Sequence, residues 1–193
     1  MTAIALTSFV ELALRITVTR AQDPRSRAML VAMQGARPAQ AHGPIAARTA
    51  PVVDRYLAPA LARAGGTAAV APLIEAIGTL VPQLCWRPRA DGPNASEGFS
   101  AAHANAMIAG PGGLQDRQDI WIGLSLLAPE TRYPDHAHSP EETYLTLSPG
   151  EFRVGSVDWF TPGIGGSFYV PPAETHAMKS GDTPLLALWA LRA

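Results

Sequence analysis

The chain has 193 residues, of which 47% are hydrophobic and 16% charged, with a formal net charge of -1. That length and apolar share suit one globular unit able to bury a core, and the near-neutral balance gives nucleic acid or an anionic membrane no electrostatic hold. The single cysteine, Cys85, excludes an internal disulfide and a cysteine-rich zinc site; in "VPQLCW" it reads as a small buried hydrophobe.

The first half carries helical signals. "MTAIALTSFVELALRITVTR" is apolar but interrupted by Glu11 and Arg15, and no basic region precedes it. It is therefore neither a signal peptide nor a membrane span, which needs about 20 apolar residues, and a cytoplasmic protein is expected. Leu12 and Ile16 recur at helical spacing. Asp23-Pro24 supplies an N-cap and a first-turn proline for a second helix running to Gly35. "GARPAQAHGPIAARTAP" has no period and reads as a loop. "VVDRYLAPALARA" and "AAVAPLIEAIGTLVPQL" predict two more helices, split by Gly65-Gly66, with boundaries blurred by Pro59 and Pro72.

After "RPRADGPNASEG", read as a solvated linker near residues 87–98, the period changes. "AHANAMIAG", "DIWIGLSLLA", "TYLTL", "EFRVGSVDWF", "GSFYVP" and "LLALWALR" are strand-like, separated by "GPGG", "SPG", "TPGIGG" and "SGDTP". These are the turns of a small antiparallel sandwich or barrel. The last run is apolar on both faces, as in a strand covered on both sides. The expected fold class is mixed α and β: a helical N-terminal portion, residues 1–95, packed on or beside a C-terminal β-barrel, residues 96–193, as one domain with a helical appendage.

"YPDHAHSPEETYLTLSPG" holds two of the chain's five histidines, His136 and His138, followed by Glu142 and Tyr144. Residues two apart on an extended chain share a face, so His136 pairs with His138 and Glu142 with Tyr144, while Ser139-Pro140 bends the chain between them. Two imidazoles and a carboxylate suit a borderline divalent cation: zinc, iron(II), manganese, cobalt or nickel. A closed site needs one more donor, and His42, His103 and His176 are the remaining histidines. His176 follows a short strand and a Pro-Pro turn, where a barrel rim would present it. His42 sits in the Pro/Ala loop. "SPEE" reads as a solvated acidic turn, leaving Glu141 at the surface while Glu142 turns inward.

The two blocks resemble the paired motifs of the cupins. His136-Ala-His138, Glu142 and Gly150 match the first; Gly165, Pro171-Pro172-Ala173 and His176 match the second, with alanine at 173 where the motif has glycine and Ser180 at its less constant asparagine. With Tyr133 before the histidines, Tyr144 after the glutamate and a helical N-terminal portion, the chain is similar to the cupin-type dimethylsulfoniopropionate (DMSP) lyases of the DddQ type. That resemblance implies an antiparallel jelly-roll barrel and one divalent transition metal per chain, zinc, iron(II) or manganese. It also implies ligands at His138, Glu142 and His176, with Tyr144 at or near the coordination sphere; His136 either ligates or lines the pocket. The implied reaction is β-elimination of DMSP to dimethyl sulfide and acrylate, with Tyr144 as first choice of base and Tyr133 as positioning residue or alternative base. A sulfonium cation cannot donate a hydrogen bond, so an aromatic face suits it. Trp121, Trp159, Tyr169 and Trp189 are candidates, with Trp189, Tyr133 and Tyr169 assigned to the substrate. A homodimer is possible, and other metal-dependent cupins (dioxygenases, isomerases) or a non-catalytic binding cupin would reuse the same ligands.

Overall fold

The computed structural model describes residues 3–35 and 46–193, so His42 lies outside the described residues. The helices are α1 (Ala3–Arg20), α2 (Pro24–Gln34), α3 (Pro51–Gly65), α4 (Ala71–Leu80) and a one-turn α5 (Phe99–Ala102). The strands are β1 (Trp86–Arg87), β2 (His103–Ala109), β3 (Ile120–Leu127), β4 (Glu141–Thr146), β5 (Glu151–Val154), β6 (Ser167–Val170), β7 (His176–Lys179) and β8 (Leu185–Arg192). Asp23 caps α2 as expected, its Oδ1 accepting from the Arg25 amide at 2.8 Å. Pro59 sits inside α3 at an exposed position, one turn after the equally exposed Arg55 whose carbonyl it cannot serve.

The strands build an antiparallel barrel of two sheets. The larger has the order β1-β2-β3-β8-β4-β6, and β5 pairs with β7 in the smaller. Isolated bridges from Arg132 to Lys179, His136 to His176 and Phe152 to Phe160 widen the smaller sheet on both edges. The helices cover the outer face of the larger sheet, so this is the expected mixed architecture.

Side-chain alternation divides the large sheet into two working faces. On β8, Leu186, Leu188 and Ala190 join a core with Phe9, Leu30, Leu57, Leu73 and Ile77 of the helices, while Leu185 and Ala187 join a second core with Tyr133, Tyr144, Phe152 and Met178. The apolar run on both faces of this strand is thus explained: one face meets helices and the other lines the barrel interior. Helix docking is pinned by polar contacts. Ser26 Oγ lies 2.8 Å from Thr143 Oγ1, and Arg20 Nε donates to the Gly165 carbonyl at 2.7 Å.

The difference from the expected organisation lies at the boundary. Residues 86–87, placed in the helical portion and its linker, form β1, with Trp86 opposite Ala106 and Arg87 opposite Asn105. "EFRVGSVDWF" is not one strand; it turns after Val154 and returns to pair Phe160 with Phe152. "HAMK" forms β7 although it carries little strand signal, because its partner β5 is distant in sequence. No described helix is long and apolar enough to cross a membrane.

Gly123 on β3 stands directly opposite Trp189 on β8, and a Cβ there would collide with the Trp189 ring and the Ala106 carbonyl. The Gly123→Ala variant is therefore expected to lose about 1–3 kcal/mol of stability, the usual penalty of overpacking. Urea unfolding measures the loss, and altered Trp189 fluorescence reports the displaced ring.

Candidate active site

The four metal-type side chains come from three places in the chain. His136 and His138 lie on the extended segment before β4, Glu142 is the second residue of β4, and His176 opens β7. What joins them is a two-residue antiparallel pairing: the His136 amide donates to the His176 carbonyl at 3.1 Å and the His176 amide to the His136 carbonyl at 2.9 Å. This mutual exchange sets the two side chains beside each other on one face, with ring centroids 4.1 Å apart. The Ala173 amide donates to the His138 carbonyl at 2.8 Å, tying the turn before β7 to the same segment. Ala173 holds φ at 59°, a left-handed conformation that costs an alanine about 1 kcal/mol and explains why the cupin motif has glycine there.

Each imidazole is oriented in the same way. Nδ1 of His136, His138 and His176 donates to the carbonyls of Pro134, Pro140 and Glu174 at 3.0, 2.9 and 3.0 Å. With the ring proton on Nδ1, the Nε2 lone pair is free to serve as ligand. One ligand atom from each of the three histidines lies within 4.8 Å of the others. Glu142, 3% exposed, places Oε2 at 3.1 Å from both His138 Nε2 and His176 Nε2. Among the described residues, His176 Nε2 is buried without a hydrogen-bond partner, despite its nearness to that oxygen. Two lone pairs facing each other at this distance repel unless a proton or cation lies between them. Ligands bonded at about 2.0–2.2 Å to one ion stand about 3.0–3.4 Å apart, so the spacing fits a zinc-like or iron-like cation.

The electrostatics favour a neutral His136 and an ionised Glu142, while the charge that Glu142 draws onto His138 is one a bound cation would have to displace. Burial, aided by His176, lowers the His136 pKa to about 3, keeping this ring neutral. For Glu142, burial pushes the carboxyl up, but its contacts with His138 and His176 win and hold it below its ordinary value. For His138, burial disfavours the proton, yet Glu142 overrides this and raises the pKa.

A cavity of about 360 Å³ opens beside the cluster, and Tyr133, Tyr144 and Trp189 line it together with His136, His138 and Glu142. Tyr144 shares its strand face with Glu142 and stands opposite Trp189 across the β4–β8 pair. Its ring stacks on Phe168 at 5.1 Å, and burial, then Glu142, push its hydroxyl well above the ordinary tyrosine range. Tyr133 packs its ring 4.9 Å from that of His136, and its hydroxyl accepts from Asn105 Nδ2 at 2.9 Å. A relay continues along the cavity wall: Ser125 Oγ donates to Asn105 Oδ1 at 2.7 Å, and Trp189 Nε1 donates to Ser125 Oγ at 3.1 Å.

Other expectations are corrected here. Tyr169 does not line the cavity: β6 alternates, so Phe168 faces inward beside Tyr144 and Tyr169 faces the helices. Its hydroxyl donates to Glu141 at 2.7 Å, its ring lies under the Arg25 guanidinium, and Glu141 also pairs with Arg192, so that glutamate is not a free surface group. Trp159 is likewise elsewhere, ringed by Arg132, Arg153 and Lys179. Cys85 is half-buried at the cavity wall, with Arg87 Nε donating to its sulfur at 3.4 Å. Ser180 is structural, donating to the Ala128 carbonyl and accepting from the Thr131 amide. The reading of "RPR" as solvated linker missed Arg87 and Arg89, which line the cavity, and Asn105 and Ser125 gave no local signal.

His103 stays apart from the metal-type cluster. It stacks on Phe99 at 3.8 Å, its Nδ1 donates to the Phe99 carbonyl, and its Nε2 accepts from the Arg89 amide at 2.8 Å. Burial lowers its pKa below 6.5. The unfolded chain then binds a proton that the folded one refuses, so stability present above about pH 6.5 is lost as pH falls toward the depressed value. In urea unfolding, the His103→Gln variant should show a shallower loss between pH 6.5 and 5 than the parent; an identical slope would remove this role.

A family model described as dimethylsulfoniopropionate lyase matches residues 23–187. Among solved structures, one of the DMSP lyases RdDddP and RnDddQII superposes with a TM-score of 0.75 at 22% identity, covering 100% of this chain and 94% of that one. The DMSP lyase DddQ from Ruegeria pomeroyi DSS-3 gives 0.67 at 23% identity, covering 100% and 93%. A cupin-2 domain protein, Rru_A2000 from Rhodospirillum rubrum, gives 0.47 at 13% identity, covering 58% and 71%. No curated protein sequence matches the chain. With the family match spanning most of its length, the chain belongs to the dimethylsulfoniopropionate lyase family of carbon–sulfur lyases.

Proposed function

We propose that this protein cleaves DMSP to dimethyl sulfide and acrylate by β-elimination at a metal centre held by His138, Glu142 and His176, with His136 beside them. The observation carrying this reading is the common orientation of the three imidazoles: every Nδ1 is committed to a backbone carbonyl, and two Nε2 atoms converge on one carboxylate oxygen. Bound there, a divalent cation would polarise the substrate carboxylate and favour the ionised form of a neighbouring phenol.

The chain's own groups do the rest. Tyr144, buried and next to Glu142, would first give its phenolic proton to solvent when a cation offsets that burial, and its phenolate oxygen then takes the proton from the carbon α to the carboxylate. The released C–H electron pair becomes the new double bond, the Cβ–S bond breaks, and dimethyl sulfide leaves with that bond's electrons. Tyr133 lies on the other side of His136 and positions the substrate. Trp189 presents an aromatic wall to the sulfonium, with its ring nitrogen committed to Ser125 on the cavity wall. The walls of Phe152, Phe168 and Met178 behind Tyr144 keep water from competing for the base.

The experiment is metal analysis of the purified protein combined with headspace detection of dimethyl sulfide and quantification of acrylate. Equal amounts of the two products, dependent on about one metal per chain, are expected; oxygen consumption without sulfide release would instead indicate an oxygenase.

A further inference from the structure

The wall formed by β1, β2 and the segment before β4 carries a second recognition element. Arg89 holds its guanidinium over the Tyr133 ring, 5.6 Å from the centroid, with Nη1 at 3.5 Å from the Tyr133 oxygen. Its backbone is fixed from below by His103 Nε2 at 2.8 Å, so the side chain leaves from an anchored point although it is exposed. The Tyr133 oxygen already accepts from Asn105 Nδ2 at 2.9 Å, and Asn105 is itself locked because its Oδ1 accepts from Ser125. A phenol has one proton to give, and with donors on its lone-pair side that proton points away from Asn105 and Arg89. This side of the cavity therefore offers donors only: the free guanidinium N–H groups and the Tyr133 O–H. Among the described residues lining the cavity, the sole carboxylate is Glu142, and it is committed to His138 and His176. Among the described lining residues, the Arg89 side holds no carboxylate to pair with a cation, and the Tyr133 ring there is already covered by the guanidinium.

We infer that Arg89 and Tyr133 form a carboxylate-receiving subsite that sets the direction in which the substrate lies, with the cationic sulfonium turned toward Trp189. Identifying the carboxylate as that of a sulfonium propionate rests on the function proposed above; the subsite's preference for a carboxylate does not. Guanidinium–carboxylate hydrogen bonds are among the strong ones, and losing binding that is the same in ground and transition state raises KM more than it lowers kcat.

The test uses the metal-loaded enzyme and two fragments of the substrate: propionate, which has the carboxylate alone, and trimethylsulfonium, which has the cation alone. Calorimetric titration should show propionate binding at least tenfold weaker in Arg89→Gln and partly restored in Arg89→Lys. Trimethylsulfonium binding should be unchanged or tighter in Arg89→Gln, since a like charge has been removed. A merely structural arginine would weaken both ligands together, and that result overturns the inference, as does wild-type propionate affinity in Arg89→Gln. With DMSP itself, KM should rise about tenfold or more while kcat changes less. A parent enzyme that releases no dimethyl sulfide but loses propionate binding on Arg89→Gln refutes the proposed reaction and leaves the subsite standing.

Discussion

Tyr144→Phe is expected to lower dimethyl sulfide release by about 10²–10⁴-fold, the contribution of one positioned proton-transfer group, while bound metal and fold are retained. The substitution is conservative where it needs to be. The Tyr144 ring stacks on Phe168 at 5.1 Å and packs near Phe152 at 5.9 Å, and a phenylalanine keeps both contacts. Only the hydroxyl goes. Burial of that hydroxyl, and then the neighbouring Glu142, push its pKa well above the ordinary value. Without a positive charge nearby it is a proton donor, so the base role proposed for it would need a cation held at the adjoining cluster. Turnover and metal content should therefore separate cleanly in this variant. If Tyr144→Phe retains activity near the parent's, the base lies elsewhere, and Tyr133→Phe becomes the decisive comparison.

His176→Ala should abolish turnover by removing the metal. The residue is 3% exposed, its Nδ1 is held by the Glu174 carbonyl, and its Nε2 is aimed at the Glu142 carboxylate 3.1 Å away, which is the placement of a ligand atom. Loss of even an orienting group around a metal ligand weakens affinity about 10–100-fold, and loss of the ligand itself should exceed that. Metal analysis after dialysis should find the variant substantially empty, with far-ultraviolet circular dichroism close to the parent's. Retention of the metal at the parent's level would exclude His176 as a ligand. His136→Ala answers the open question about the first histidine: retained metal assigns it to the cavity wall, lost metal to the coordination sphere.

Much of this site could be read from residue order, and the reasons are specific. His136-Ala-His138 and Glu142 lie close together in the chain, so spacing alone suggests a shared face. His176 is 40 positions from His136, and only its place after Pro171-Pro172 marked it; the pairing that brings it home is a backbone contact with no side-chain signature. Tyr169 was assigned to the substrate as an aromatic in a strand-like run that could point inward, whereas the register of β6 against β4, Phe168 opposite Tyr144 and Tyr169 opposite Thr143, sends it to the helices. Arg89 was invisible for the opposite reason: "RPR" has the composition of a solvated turn, and only the His103 anchor gives it a fixed place. The mixed architecture was legible from the change of period, but β1 and β7 are two and four residues long, too short for alternation to register.

The carbonyls of Pro134, Pro140 and Glu174 that steer the three imidazoles belong to the main chain. Side-chain replacement at those three positions cannot delete the acceptors, so the tuning of the ligands is shielded from most point mutations. Only a shift in the path of the polypeptide would disturb it. Sequence can accordingly drift widely around such a centre without detuning it, and engineering aimed at ligand basicity here would have to reshape loops instead of exchanging neighbours.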